Sequence, residues 1–564
     1  MRVVFRLLIF SLLLLSLYPT QAQTDSRPFT LPVASPPGPD TWLFGQAYGN
    51  TVGAFNFGAQ WYSSGQGLHF GLDLPMPCGT PLVAVADGIV AYVDNLGLGA
   101  GPHNLVIRHD QYQLATLYGH LLEAPPLLQG QAVTQGQVIA QSGDPDITCD
   151  SRPHLHFEVR SPDYFTTYNP IDYIDANWHS LALAGGYSYP LFQQDLYNPR
   201  QWMSLDEQPP VRFGGRRLNA YTLTWPLPSE LRPPTNAPLP RPYEPLSPET
   251  AVTLNPIGFD RCCWEWWWDA TDADRFYVID GTAGQQASVI AWSASQEVMQ
   301  AVVSPAPPAI TSPDGAYQIF NNVNEVIIQR TTNPDERYSI QTQGATPAVN
   351  PDNSKLTWTV RSRVALPGER QPNSTVYISD LNGGNLREVA AVPGIAGSWL
   401  DAHRLLLTVP SRGRLTTLSV YDTRDESITI LGTWRNVRNI SVAPGGERVL
   451  FYVTFPTEED DYESGVYVIE TVPEAEAVLL PWFGSWRWRD AESVYYFPLE
   501  PENANQTLAY YHIPTGENRV LAGPANDLYF TVMNGEWEVS PDGRRILFQN
   551  ALDSNLWMME IGLQ

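Results

Sequence analysis

A chain of 564 residues is too long for one ordinary core and predicts two or three domains. A formal charge of −26 and a pI near 4.6 exclude the basic footprint that a nucleic-acid-binding surface needs. Trp and Tyr are abundant and Lys is scarce, while Asn, Asp, Gly and Pro recur at short intervals, the texture of an all-β protein with many turns.

The chain opens on "MRVVFRLLIFSLLLLSLYPTQAQTD": two arginines, an apolar run, then small residues. This pattern predicts a secretory signal peptide over residues 1–22, cleaved after Ala22, and a product exported to the cell envelope or beyond. The apolar run is short for a membrane span, no Cys follows it as a lipid attachment point, and no later segment is long and apolar enough to span. Export makes disulfides available. Cys78 and Cys149 bracket a histidine-rich region; bonded, they close a loop of about 70 residues, and unbonded they are two buried thiols. For the adjacent Cys262 and Cys263, a vicinal bond, cross-pairing and free thiols all stay open.

Residues 23–178 read as a first domain of short strands between Gly- and Pro-marked turns, as in "TPLVAVADGIVAYVD" and "HNLVIRHDQYQLATLYGHL". A connecting region, 179–253, follows. Its proline-dense end, 226–248, predicts an extended spacer, whereas the earlier part keeps enough aromatic residues to pack against a neighbouring domain.

From 254 to 564 a phrase repeats: "TSPDGAYQIF", "VNPDNSKLTW", "VAPGGERVLF" and "VSPDGRRILF", with weaker copies from Trp267, Ser398 and Arg487. A period of about 45 residues suits a four-stranded propeller blade, and Pro-Asp-Gly is a tight turn. The phrases resemble the WD40-like repeats of the TolB-type propeller family. Seven copies predict seven blades, with six as the fallback. "TAVTLNPIG", ahead of the first copy, is strand-like and supplies the outer strand that the last copy lacks. "CCWEWWWD" reads as packing between blades rather than as a ligand platform.

The chemistry concentrates in the first domain. "GLHFGLD" carries His69 and Asp73, "TLYGHLL" carries His120, and "RPHLHFEVR" carries His154 and His156. Residues two apart on a strand share a face. Imidazole nitrogens and a carboxylate oxygen are ligands that zinc accepts, and a catalytic zinc site keeps three of them and one open position. His69, Asp73 and one histidine of the pair make three, leaving the other and His120 as free imidazoles. His103 and His109 read as structural or loop residues, His179, His403 and His512 as packing or surface residues, and Asp144 and Asp146 as solvated loop acids.

In this order, "HFGLD", "GTPLVAVADGIVAYV", "TLYGHL", "GQAVTQGQVIAQSG" and "RPHLHFEVR" resemble the M23 peptidase family of LytM and lysostaphin type, over about a sixth of the chain. The resemblance implies an antiparallel β-sheet domain, Zn2+ held by His69, Asp73 and His156, and catalytic roles for His120 and His154. It also implies a zinc metalloendopeptidase acting on peptidoglycan cross-links, with the propeller as a module for substrate or partner. In place of the family's Gly- and Ser/Thr-rich loop before the histidine pair stands "SGDPDITCDSRPH", which bears on substrate fit rather than on the metal. Two other readings stand beside it: a non-enzymatic binding protein of the cell envelope, and a peptidase acting on Gly-rich proteins.

Overall fold

Runs of strand length separated by turn residues fold as antiparallel sheet almost throughout. The structure is a computed structural model that describes residues 27–185, 193–194, 202–220, 239–258, 265–280, 288–295, 298–301, 310–322, 324–361 and 373–563. The expected signal segment and the Cys262–Cys263 pair lie outside the described residues.

The first domain contains β1 (Leu72–Pro75), β2 (Pro81–Val83), β3 (Gly88–Val93), β4 (Leu105–His109), β5 (Leu114–Gly119), β6 (Ala132–Val133), β7 (Val138–Gln141), β8 (His154–Arg160) and β9 (Thr166–Tyr168). Two short helices flank them, α1 (Val52–Phe57) and α2 (Trp178–Ala182). In the connecting region, β10 (Gln193–Gln194) pairs with β11 (Trp202–Met203), and β12 (Val211–Arg212) adds to the main sheet. The order across that sheet is β12-β9-β8-β5-β4-β3-β6, with β1 also on β8, while β2 and β7 pair separately. All seven residues of β8 are buried, as a strand packed on both faces requires. One face covers a core with Trp42, Phe44, Leu74, Tyr118 and Phe157, and the other carries the histidines. His109 is a core residue, its Nδ1 donating to the Asp87 carbonyl at 2.8 Å and its Nε2 lying 3.0 Å from Thr116 Oγ1.

Residues 202–219 of the connecting region therefore belong to the layer around the sheet. Gln208 reaches Asn50, and Asn219 Nδ2 donates to Asn50 Oδ1 and to the Gly67 carbonyl.

The repeats form a ring of seven four-stranded antiparallel sheets, covering 265–301, 310–341, 348–393, 396–435, 437–479, 484–522 and 532–563 in turn. Seven blades, not six, are present. The strand Thr250–Gly258 completes the seventh by pairing with Asn555–Leu563, Leu254 opposite Met559, so the two ends of the repeat region close the ring. The propeller thus starts at Thr250 rather than at 254, because the closing strand precedes the first turn phrase. Trp266 packs with Phe276 of its own blade and with Leu547 and Met558 of the seventh, so this part of the Trp-rich run serves packing between blades.

The first domain sits on one face of the ring. Asn177 Nδ2 donates to the Pro501 carbonyl at 2.8 Å, Ser180 Oγ to that of Asn503 at 3.1 Å, and Asn534 Nδ2 to that of Met203 at 2.8 Å. The Tyr452 hydroxyl donates to the Gly185 carbonyl, and Leu43 enters the core between the fifth and sixth blades. The propeller side of these contacts comes from loops joining second to third strands and from the starts of blades, which share that face.

Cys78 and Cys149 are bonded, 71 residues apart. The bond ties the loop 144–152, which leads into β8, to the segment after β1. Reducing it is expected to cost about 4 kcal/mol on the loop-closure model. Thermal unfolding of the oxidised protein with and without reductant measures this, and an unchanged midpoint would exclude it.

Candidate metal centre

Strand register brings the sequence candidates together. Asp73 on β1 stands directly opposite His156 on β8, Pro75 stands opposite His154, and Gly119 on β5 flanks His156 from the other side. His69 lies one turn ahead of β1, where its backbone pairs with Gly49. The Gly in "HFGLD" is a packing requirement: a Cβ on Gly71 would stand 2.8 Å from His156 Cε1 and 2.6 Å from the Phe157 carbonyl oxygen. His120, at the end of β5, has φ +55°, a strained conformation for a non-Gly residue.

His69, Asp73 and His156 each offer one ligand atom, and the three atoms lie within 4.8 Å of one another. His156 Nδ1 is 2.8 Å from Asp73 Oδ1, and His69 Nε2 is 3.2 Å from that oxygen and 3.3 Å from His156 Nδ1. His154 Nε2 approaches the same oxygen at 3.6 Å, and the His120 ring lies 4.7 Å from that of His154 and 5.7 Å from that of His156. All five residues meet at one place, His120 half-buried and the others buried.

The nitrogens facing away from this point are all anchored. His69 Nδ1 donates to the Ala47 carbonyl at 2.7 Å, His154 Nδ1 to that of Arg152 at 2.5 Å, and His120 Nδ1 to that of Gly101. His156 Nε2 faces Glu158 Oε1 at 3.3 Å. A carbonyl only accepts, so each anchored nitrogen carries the proton and its partner turns a lone pair inward. The inward lone pairs of His69 Nε2 and His156 Nδ1, with an Asp73 carboxylate oxygen, make a donor set that fits a zinc-type ion.

The electrostatics agree. Burial pushes the Asp73 carboxyl up, but the charges of His69 and His154 and the hydrogen bonds of His156 and His69 outweigh it and hold it well below the usual range. Burial pushes His120 and His154 down, His120 further because His154 and His156 add like charge. Burial also opposes protonation of His156, yet Asp73 and Glu158 raise it to about 9.

Several contributors escape the motif reading. Glu158 is 0 % exposed and takes Arg160 Nε at 2.7 Å and Nη2 at 2.9 Å. Arg160 also donates to the Leu98 carbonyl at 2.7 Å and lies over the Phe213 ring, which packs against Phe70, itself edge-on to His156. Continuing the period of two from His154 and His156 reaches Glu158 and Arg160, the signal that could have found them. Asp144 is the clear correction. It is 1 % exposed rather than solvated, and it accepts from the backbone of Ser151 and Arg152 at 3.0 Å each and from Ser151 Oγ at 2.6 Å. One buried carboxylate thereby knits the loop before β8. Beside that loop, exposed Trp61 stacks on Phe57 and takes the Arg152 guanidinium 4.8 Å over its ring.

Residues 67–172 match the family model Peptidase family M23. Over 90 residues the chain is 39% identical to an "Uncharacterized metalloprotease" of Haemophilus influenzae, covering 16% of this chain and 18% of that one. Over 93 residues it is 40% identical to the "DD-carboxypeptidase/endopeptidase Mpg" of Neisseria meningitidis, covering 16% and 20%. The chain spans about a fifth of the length of these two relatives. Among solved structures it is similar to the catalytic domain of lysostaphin from Staphylococcus simulans, at 24% identity and TM-score 0.19, covering 23% of this chain and 90% of that one. It is also similar to an oligogalacturonate lyase in complex with manganese, at 12% identity and TM-score 0.37, covering 56% and 92%.

Proposed function

We propose, on the premise that residues 67–172 carry the match to peptidase family M23, that the protein is an exported zinc metalloendopeptidase hydrolysing peptide bonds of peptidoglycan. The observation that carries this reading is the convergence of His69, Asp73 and His156 on one point with His120 and His154 beside it. Zinc at that point supplies Lewis acidity, polarising a carbonyl and acidifying water. The chain's own residues do the rest. His154, neutral because burial depresses its pKa, takes the proton of the attacking water on Nε2, its Nδ1 being held by the Arg152 carbonyl. His120, with Nδ1 held by Gly101, offers its Nε2 as the second proton carrier on the way to the departing amine. Asp73, ionised, steadies the positive charge that forms on His154. The propeller serves as a platform for substrate or partner. Among the described residues no helix is long and apolar enough to cross a membrane.

The test is release of peptide fragments from purified peptidoglycan by the protein without its signal segment. Release should stop on chelation and return when zinc is added. Zinc-loaded protein that releases nothing from peptidoglycan would sink the substrate assignment.

A further inference from the structure

In a chain of net charge −26, an arginine with no acid beside it stands out. In the first domain Arg108 meets Asp110 and Arg160 meets Glu158; in the propeller Arg404 meets Asp401 and Arg435 meets Asp460. Arg152 differs. Among the described residues its guanidinium makes no hydrogen bond or ion pair, and it lies 4.8 Å over the ring of Trp61 instead. Trp61 is 51 % exposed, so the contact is open to solvent, and it stacks on Phe57 with ring centroids 4.2 Å apart. With Phe57 and Arg152 already against the indole, the stack offers a ligand the guanidinium rather than a bare aromatic face. A guanidinium that stacks through its face keeps its N–H groups, which lie in its plane, for an anion.

Both halves of the stack are joined to the histidine cluster by direct contacts. The Arg152 carbonyl accepts from His154 Nδ1 at 2.5 Å, and the Arg152 backbone N–H donates to Asp144 Oδ2 at 3.0 Å. Pro153 follows and restricts Arg152 to extended backbone, and the Cys78–Cys149 bond fixes the loop ahead of it. Trp61 precedes Tyr62, whose ring stands edge-on to that of His69 at 5.5 Å and whose hydroxyl donates to Gln46 Oε1 at 3.0 Å. The stack thus connects the segment after α1, beside His69, to the loop before β8, beside His154. Its charge is displayed from a backbone fixed at both ends.

We propose that Arg152, held against Trp61, is an anion-binding subsite at the rim of the metal centre, and that it takes a carboxylate of the substrate peptide. This rests on the centre being that of a peptidase. The planar fork of Arg suits a carboxylate, held by two parallel hydrogen bonds. Stacking on Trp61 restrains the side chain beforehand, so less freedom is lost when the anion arrives. The subsite also answers how a chain of charge −26 meets an anionic polymer: through one local cation rather than through its overall field.

The experiment uses soluble muropeptides prepared from peptidoglycan, with carboxyl groups either free or amidated. Binding is measured on the full chain with His154→Ala, so that nothing is consumed, alone and combined with Arg152→Gln or Trp61→Leu. Arg152→Gln keeps the backbone contacts of residue 152. It should weaken binding of the free-carboxyl form about tenfold and remove the preference over the amidated form. Trp61→Leu should weaken the free form by a smaller factor. Unchanged binding of the free form with Arg152→Gln, or equal losses for both forms, overturns the subsite. So does a loss with Trp61→Leu alone, equal for both forms, which would make the indole a sugar platform. Cleavage by zinc-loaded protein that retains His154 is read in parallel. Carboxylate-dependent binding through Arg152 without any cleavage would strike the peptidase reading and leave the subsite standing, whereas cleavage without charge preference strikes the subsite alone.

Discussion

His154→Ala is expected to keep its metal and lose its chemistry. The proposed ligand atoms belong to His69, Asp73 and His156, and none depends on the His154 ring for its anchor: Ala47 holds His69, and Glu158 holds His156. What disappears is the Nε2 lone pair aimed at the centre. A positioned general base contributes about 10²–10⁴-fold, so kcat should fall by that much while metal content stays at one per chain. His156→Ala provides the contrast, since it removes a ligand and should lose metal and activity together. Metal analysis beside kcat for the two variants separates the roles. If His154→Ala loses metal as readily as His156→Ala, the division between ligand and proton carrier is wrong.

Glu158→Gln has the second largest expected effect, at a residue that touches no substrate. The Glu158 carboxylate does two things at once: it fixes which nitrogen of His156 carries the proton, and it neutralises a buried arginine. Glutamine keeps the shape and can still accept through its oxygen, but it gives up the charge. An outer partner of a metal-binding histidine is worth about 10–100-fold in metal affinity, and the variant should lose an amount in that range. Leaving the Arg160 charge without its partner should also lower stability by about 3–5 kcal/mol, less whatever the Leu98 and Tyr164 carbonyls retain. Competition with a chromophoric chelator reads the first effect and denaturant unfolding the second. Unchanged metal affinity with reduced stability would make Glu158 a structural residue only.

These two residues also mark where sequence reading succeeds and stops. His69, Asp73, His120, His154 and His156 could be grouped because their motifs come in a fixed order with strand-length runs between them, and the register of β1 against β8 then converts that order into proximity. The ring was legible for a similar reason, since the turn phrase recurs at blade spacing and the surplus strand at Thr250–Gly258 has one vacant edge to fill. Asp144 was not legible. An acid in a loop rich in Asp and Ser looks solvated, and only the closure of the loop around its oxygens makes it a core residue. Glu158 and Arg160 carried a signal, the continued alternation of β8, but a charged pair at the end of a strand reads equally well as an exposed edge. The docking of 211–219 was legible only as composition, aromatic and apolar residues that call for a neighbour; the strand edge it meets was not, because its contacts are made to residues about 150 positions away.

The closing strand has a consequence for how the molecule assembles. The seventh blade needs Asn555–Leu563 to meet Thr250–Gly258, about 300 positions earlier in the chain. Until then the first and last blades present open edges, and the first domain, complete in sequence by residue 220, has to wait for much of its seat, because its contacts fall on blades five to seven. Pairing over such a separation is slow relative to local strand formation. Local pairing around the histidine cluster is therefore expected to precede closure of the ring on which it rests.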